Sequence, residues 1–139
     1  MIAEIEMGHL ATIRHQRAIK NIVFGLERLF QNGQIQLEPL PETDIDPGNS
    51  ESKCPDVILQ DNQKSTVPVI IEIATNRGAK TDFSKMRRLI DDTEYGIVEG
   101  FVLNFETGAW LKYSKELGIV EENPAWSDVL GLNLSEFIS

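Results

Sequence analysis

The sequence predicts an α/β fold in which helices cover a mixed β-sheet. Apolar residues recur at helical spacing in two segments and at strand spacing in the others, in the order α-β-β-β-α-β-β. One connection of five residues forces two of the strands to run antiparallel. Helices alternating with strands favour layers packed on one sheet, and a chain of 139 residues is expected to form a single domain over 1–139.

The first predicted helix covers residues 8–32, where the apolar side chains fall within one broad stripe. Gly33 follows it as a stop signal. Residues 35–38 alternate between apolar and polar and predict a short strand. Residues 39–53 are rich in Pro, Asp, Gly, Ser and Glu, which predicts an exposed loop.

Two short apolar runs predict the centre of the sheet. They span residues 56–60 and 67–74 and form a hairpin. The rest of the chain predicts, in order, a helix over 82–93 capped by Thr81 or Asp82, strands over 100–104 and 109–113, and a tail over 126–138 that docks as a short helix or coil.

The composition argues against several classes of protein. No apolar run approaches the roughly 20 residues of a membrane span, and the first residues lack the basic and apolar regions of a signal peptide. Cys54 is the only cysteine, which rules out an internal disulfide and favours a cytoplasmic protein. One cysteine and two histidines cannot build a structural zinc site.

The net charge of −9 argues against a protein that binds polyanions through its overall charge. The charge is unevenly spread, however. Residues 77–88 carry an excess of +4, because five basic residues stand against a lone Asp82: Arg77, Lys80, Lys85, Arg87 and Arg88. This basic segment directly follows the strand predicted over 67–74.

Glu72 is a carboxylate inside a strand that is otherwise apolar. Buried without a partner, it would cost several kcal/mol or take up a proton. Asp56, at the start of the neighbouring strand, can lie beside it in the hairpin, and the carbonyl of Ile73 could add a third oxygen. Such ligands suit Mg²⁺, for which Mn²⁺ can substitute. The alternative is that Glu72 pairs with an arginine or lysine while Asp56 only caps a turn after Pro55.

The order Pro55-Asp56, a gap, and then Glu72 at the end of an apolar strand resembles the PD-(D/E)XK nuclease superfamily. The resemblance implies a restriction-endonuclease-like fold, a metal ion held by the two acids, and a lysine two residues after the glutamate. Ala74 occupies that position here. A lysine there orients or deprotonates the attacking water or holds phosphate charge, and alanine can do none of these.

Some branches of the superfamily supply this lysine from the following helix. The resemblance then implies Lys85, which lies at the edge of the predicted apolar face and whose stem can carry the ammonium towards the sheet end. Lys80 in the loop and Arg88, nearly opposite the packed face, are accessory candidates. The alternative for Lys85 is an ordinary lysine at the boundary of the core.

The stretch over 55–104 is similar to the Uma-type endonuclease family of bacteria, and the first helix and the tail also fit. The matching segments are Pro55-Asp56-Val57, Ile71-Glu72-Ile73, a helix with a lysine, and Tyr95 to Val102. Two departures bear on the catalytic base rather than on the fold. Ala74-Thr75-Asn76 stands where the family commonly has Ser-Pro-Ser, and the spacing to the helical lysine also permits Arg88.

His15 lies on the apolar stripe of the first helix. An upstream helix in these folds often lends a polar residue to the metal site, so His15 is a further accessory candidate that could touch the site or a phosphate. The alternative is a histidine hydrogen-bonded in the core. Glu4 and Glu6 could supply an additional acid.

The leading hypothesis is a Mg²⁺-dependent endonuclease that hydrolyses phosphodiester bonds of DNA, with Asp56, Glu72 and Lys85 as catalytic residues. We expect a homodimer, since symmetric dimers are the commonest oligomers, and no membrane contact. The alternative is a catalytically inactive binding or assembly module with the same fold, which Ala74 and the acidic composition favour. A third interpretation is an internal ion-pair network that involves Arg77 or its basic neighbours.

Overall fold

The computed structural model describes residues 2–48 and 54–138, with side chains from residue 12 onward. A six-stranded sheet lies between two helices, and its strands lie side by side in the order in which they follow one another along the chain. Only the third and fourth strands of this sheet run parallel to each other, and the other neighbours run antiparallel. The predicted α/β fold with a mixed sheet is therefore confirmed.

The elements follow the predicted order and continue beyond it. The helices are α1 (Ile2–Gln31) and α2 (Ala79–Asp91). The strands of the main sheet are β1 (Glu38–Pro41), β2 (Val57–Asp61), β3 (Thr66–Ala74), β4 (Glu99–Asn104), β5 (Trp110–Ser114) and β6 (Gly118–Val120). A second, two-stranded sheet pairs β7 (Trp126–Ser127) with β8 (Leu132–Asn133), and a 3-10 helix spans Leu134–Phe137.

The two faces of the sheet are both apolar, which explains why β3 reads as a continuous hydrophobic run. Val69, Ile71 and Ile73 pack in the core on the α1 side, whereas Ile70 and Ala74 pack on the α2 side. This alternation follows from the two-residue period of a strand. Glu72 has the same parity as Ile70 and Ala74, so its side chain points into the α2 layer.

Each helix packs on the sheet through an apolar stripe of its own. The buried side chains of α2 recur every three or four residues, and those of α1 do the same: Ala79, Phe83, Met86 and Ile90 in α2, and Ala18, Ile19, Ile22 and Leu26 in α1. Gly33, at φ +75°, ends the first helix as predicted, because the left-handed conformation costs glycine little. The amide of Gly33 donates to the carbonyl of Phe30 at 3.1 Å.

Several predicted boundaries were wrong. The short strand predicted over 35–38 lies at Glu38–Pro41, so that only Glu38 falls in the predicted strand and the other three residues fall in the segment predicted as a loop. Ile35 and Leu37 are buried without being part of the ladder. Two prolines are tolerated in β1 because it is an edge strand, where one row of N–H groups needs no partner.

The second helix begins three residues earlier than predicted, at Ala79. Its N-cap is Gly78 rather than Thr81 or Asp82, and no side chain caps it. The Oγ of Thr75 instead accepts a hydrogen bond from the amide of Gly78 at 3.1 Å. The carbonyl of Thr75 also accepts from the amide of Ala79 at 3.0 Å, so the turn before the helix satisfies the first helical N–H without a capping side chain.

A buried charge network fixes the carboxyl-terminal tail to the sheet. Lys112 on β5 is 2% exposed and donates to the carbonyl of Trp126 at 2.7 Å and to Asp128 Oδ2 at 2.9 Å. Its Nζ lies 3.6 Å from Oε2 of Glu99 on β4, and the hydroxyl of Ser127 donates to Glu99 as well. The tail also docks through the predicted apolar residues Leu130, Leu132, Leu134 and Phe137. Its two-stranded sheet and this charge network were not predicted from the sequence.

Candidate metal centre at the end of the central hairpin

Asp56 and Glu72 meet where the β2–β3 ladder ends. The last residue pair at that end is Val57 with Ile71. Beyond it, the amide of Asp56 donates to Glu72 Oε1 at 2.8 Å, and the amide of Ile73 donates to Asp56 Oδ2 at 2.7 Å. Each carboxylate thus satisfies a main-chain donor of the other strand, and these reciprocal hydrogen bonds hold the two acids side by side.

The carbonyl of Ile73 faces the same edge. In an extended strand the N–H and C=O of one residue point towards the same neighbour, and the N–H of Ile73 points to Asp56. The next carbonyl, of Ala74, points the opposite way and accepts from the amide of Phe105 at 3.1 Å. The arrangement therefore directs two carboxylates and one carbonyl towards a common region, which is the oxygen donor set that hard cations prefer.

Burial raises the pKa of both carboxyl groups. It raises the pKa of Glu72 to about 7, against the hydrogen bond from Asp56, and the negative charges of Asp56 and Asp82 add to the effect while Lys85 opposes it. Burial also raises the pKa of Asp56, against the hydrogen bond from Ile73 and the nearby His15. A cation would stabilise both ionised carboxylates, so the electrostatics of the pair fit a metal site.

Direct ion pairing does not account for Glu72. Among the described residues, no lysine or arginine forms a salt bridge with it. The internal network expected from Arg77, Lys80 or Arg88 is therefore not what the structure shows. Three or more His, Cys, Asp or Glu side chains do not converge on one point anywhere in the described part of the chain. A cation at the acid pair would accordingly complete its shell with the Ile73 carbonyl and water.

His15 borders the acid pair from the α1 side. Its Nε2 lies 3.4 Å from Asp56 Oδ2, and its side chain is 28% exposed. The ring meets the ring of Phe105 edge to face, with centroids 6.0 Å apart. His15 is thus positioned at the site and is not enclosed in the core.

Lys85 and Glu72 line the same small pocket between β3 and α2. The pocket has a volume of about 190 Å³ and its other walls are Cys54, Pro55, Ile70, Asp82, Met86 and Leu89. Lys85 itself is exposed. Glu72 and Ala74 point to the same face of the sheet, and α2 covers that face. A side chain from α2 can therefore approach the Glu72 carboxylate from the same side as a lysine at position 74 would.

The accessory basic candidates lie elsewhere. Arg88 is exposed and lines a separate pocket with Ser84, Arg87, Asp91 and Asp92, away from the acid pair. Lys80, predicted in a loop, is exposed in the first turn of α2. The side chains of Glu4 and Glu6 lie outside the described ones. Of the predicted residues, the structure therefore brings together Asp56, Glu72, Ile73, His15 and Lys85.

Two further acids at the site were not singled out from the sequence. Asp82, considered only as a helix cap, lies in the pocket with Glu72. Glu42 donates its amide to the carbonyl of Asp56 at 2.9 Å, and its carboxylate accepts from Gln16 Nε2 at 3.0 Å. Glu42 lies in a polar loop segment, where one acid among several gives no distinguishing signal.

A comparison with solved protein structures agrees with this fold, whereas two comparisons of the sequence found no match. No protein-family model matches the sequence, and no curated protein matches it. A crystal structure from Anabaena variabilis, described as "a putative nuclease belonging to DUF820", matches with a TM-score of 0.63 at 13% sequence identity. The match covers 89% of this chain and 79% of that chain. At this identity the likeness concerns the fold alone, and it shows that the chain shares the α/β fold of that protein.

Proposed function

We propose that this chain is a metal-dependent nuclease of the PD-(D/E)XK type that hydrolyses phosphodiester bonds of DNA. The observation that carries the proposal is the pair of carboxylates, Asp56 and Glu72, held together by reciprocal hydrogen bonds to main-chain amides. Their raised pKa values and the neighbouring Ile73 carbonyl give the pair the donor set and the electrostatics of a magnesium site. The likeness in fold to a protein described as a putative nuclease adds support.

Asp56, Glu72 and the Ile73 carbonyl would hold the cation. A divalent cation bound there supplies Lewis-acid stabilisation of the phosphate and lowers the pKa of a bound water. The chain's own contribution is preorganisation, because the two carboxylates are fixed by the backbone at the end of the hairpin. Ligands that need not rearrange bind and stabilise developing charge more effectively.

Lys85 is the proposed substitute for the missing strand lysine. Ala74 is 3% exposed and packs against α2, so that position offers only a methyl group. Lys85 lines the pocket of Glu72 from α2, and its charge offsets part of the rise that burial causes in the pKa of that carboxyl. Its ammonium would position the attacking water or hold charge on the phosphate.

A catalytically inactive binding module with this fold is the second candidate. It is favoured by Ala74 and by Lys85, which forms no salt bridge with Glu72 among the described residues. This module would keep the carboxylates as a brace for the open end of the hairpin. It would neither bind a divalent cation tightly nor cut DNA.

Titration calorimetry with Mg²⁺ and Mn²⁺ tests the metal site. Wild type should bind the cation. Asp56→Asn should not bind it, because asparagine has no negative charge, although its side-chain oxygen can still accept the hydrogen bond from the main-chain N–H of Ile73. Glu116→Gln removes an exposed acid near the far edge of the sheet and should bind like wild type. Null titrations for wild type, or equal binding by Asp56→Asn, would reject the proposal.

A cleavage assay on single-stranded, duplex and supercoiled DNA with Mn²⁺ then separates the two candidates. The nuclease proposal expects cutting that is lost in Lys85→Ala while metal binding persists. An absence of cutting on every form would reject the nuclease, and null metal titrations alongside it would favour the inactive module.

A further inference from the structure

α1 carries a second basic face that the charge pattern around α2 does not include. Among residues 12–31, four basic side chains stand against Glu27, which gives this segment a charge of +3 with histidine neutral. All four are exposed: Arg14, Arg17, Lys20 and Arg28. Since α1 and α2 cover opposite faces of the sheet, the acid pair lies between two basic helices in a protein whose net charge is −9.

Among these four side chains, Arg14 is fixed by contacts with another described residue. Its Nη2 donates to the carbonyl of Phe105 at 3.0 Å, and its guanidinium carbon lies 5.4 Å from the centroid of the Phe105 ring. A guanidinium has five N–H donors in a rigid plane, and this hydrogen bond uses one of them. Arg14 therefore presents the remaining donors in a defined orientation while staying exposed to solvent.

The guanidinium is held next to the candidate metal centre. His15, the following residue, contacts Asp56, and its ring packs on the same Phe105 ring. Phe105 in turn donates its amide to the carbonyl of Ala74, two residues beyond Glu72 on β3. These contacts place Arg14 at the carboxyl ends of the parallel pair β3–β4, and open α/β sheets bind ligands at such ends.

We propose that Arg14 binds a backbone phosphate of the DNA strand, next to the phosphodiester that lies at Asp56 and Glu72. The assignment rests on the proposed nuclease function, since it takes DNA as the ligand. The planar fork of an arginine matches two oxygens of one phosphate, and prior fixing by Phe105 reduces the entropy lost on binding. The positive charge also offsets the repulsion between the phosphate and the carboxylates.

DNA binding measured in EDTA tests this contact without requiring metal or cleavage. Fluorescence anisotropy of labelled single-stranded and duplex 20-mers, from 50 to 200 mM salt, gives Kd and its salt dependence. Arg14→Ala should weaken binding about tenfold, as expected for a hydrogen bond to a charged group. The slope of log K against log salt should become shallower by about 0.9 with duplex or about 0.7 with single strands.

Two variants sharpen the result. Arg28→Ala removes the same charge from the same helix, about 21 Å from Arg14 at 1.5 Å per residue, and should leave Kd and slope near wild type. Arg14→Lys keeps the charge and loses the fork, so it should retain the slope and still bind several-fold more weakly. Circular dichroism confirms folding; if Arg14→Ala does not fold, the lysine variant decides the matter.

Three results would overturn the proposal: wild type that does not bind DNA at 50 mM salt, Arg14→Ala that behaves like Arg28→Ala, or Arg14→Lys with wild-type affinity. The outcomes also separate this contact from the nuclease activity. Binding that depends on Arg14 without metal binding would retain the phosphate contact and reject the nuclease. Metal-dependent cutting by wild type, together with unchanged DNA binding in Arg14→Ala, would retain the nuclease and reject the phosphate contact.

Discussion

Replacing Glu72 by glutamine should stabilise the protein at neutral and alkaline pH in the absence of metal. The carboxyl has a pKa of about 7 in the fold and 4.5 as its ordinary value. Because the folded pKa is raised, the folded state binds the proton more tightly, and its stability falls as pH rises from the unfolded to the folded pKa. At about 1.36 kcal/mol per pH unit, the full loss is about 3 kcal/mol.

The perturbation is clean because glutamine preserves the shape of the side chain. Its amide oxygen can still accept from the Asp56 amide, whose bond to Glu72 is 2.8 Å long. Between pH 5 and pH 8, the free energy of unfolding of wild type should fall by about 2.5 kcal/mol relative to Glu72→Gln. The contribution of Asp56, whose pKa is also raised, is present in both proteins and largely cancels in the difference.

Urea denaturation in EDTA at pH 5, 6, 7 and 8 measures this difference, with Glu116→Gln as the matched carboxylate control. Adding Mg²⁺ at about ten times its Kd should then stabilise wild type by about 1.4 kcal/mol at pH 8 and leave Glu72→Gln unchanged. Parallel pH profiles for wild type and Glu72→Gln would refute the argument that burial holds a proton on this carboxyl.

Two other features give predictions for the same denaturation assay. Lys112→Met should destabilise the protein by about 3 to 5 kcal/mol, because it leaves the buried Glu99 without its cation. Asp128→Asn should cost less than about 1 kcal/mol, because the Asp128 side chain is 61% exposed. Equal losses of stability in the two variants would contradict this account of the network. Gly100→Ala should cost about 1 to 3 kcal/mol, because its Cβ would lie 2.5 Å from Met86 Sδ. A neutral result would mean that the Met86 side chain can move aside at no cost.

The sequence predicted the order of elements because local patterns encode them directly. The continuous apolar run over 67–74 and the five-residue connection before it determined a central antiparallel hairpin, and this is what forms. Boundaries failed where the tertiary environment outweighed local preference. Ile35 and Leu37 alternate like a strand, yet they are buried as a connection while the prolines after them join the sheet edge.

The two central acids of the candidate site could be predicted from the sequence, but the acids around them could not. Glu72 was identifiable because a carboxylate in an apolar strand needs compensation, and Asp56 because hairpin pairing places it nearby. Glu42 and Asp82 had no such signal, since an acid in a loop or in the first turn of a helix is common. Their roles come from contacts that residues distant in sequence make.

The sequence by itself determined the α/β layer order, the hairpin and the presence of two acids at its open end. Only the tertiary structure decided that the acids bind each other's strands through main-chain amides, that Lys85 lines the pocket of Glu72, and that His15 and Arg14 approach from the opposite layer. The physical reason is distance along the chain. Spacing in sequence specifies neighbours within one helix or hairpin, whereas contacts between α1, α2 and the sheet depend on how the layers pack.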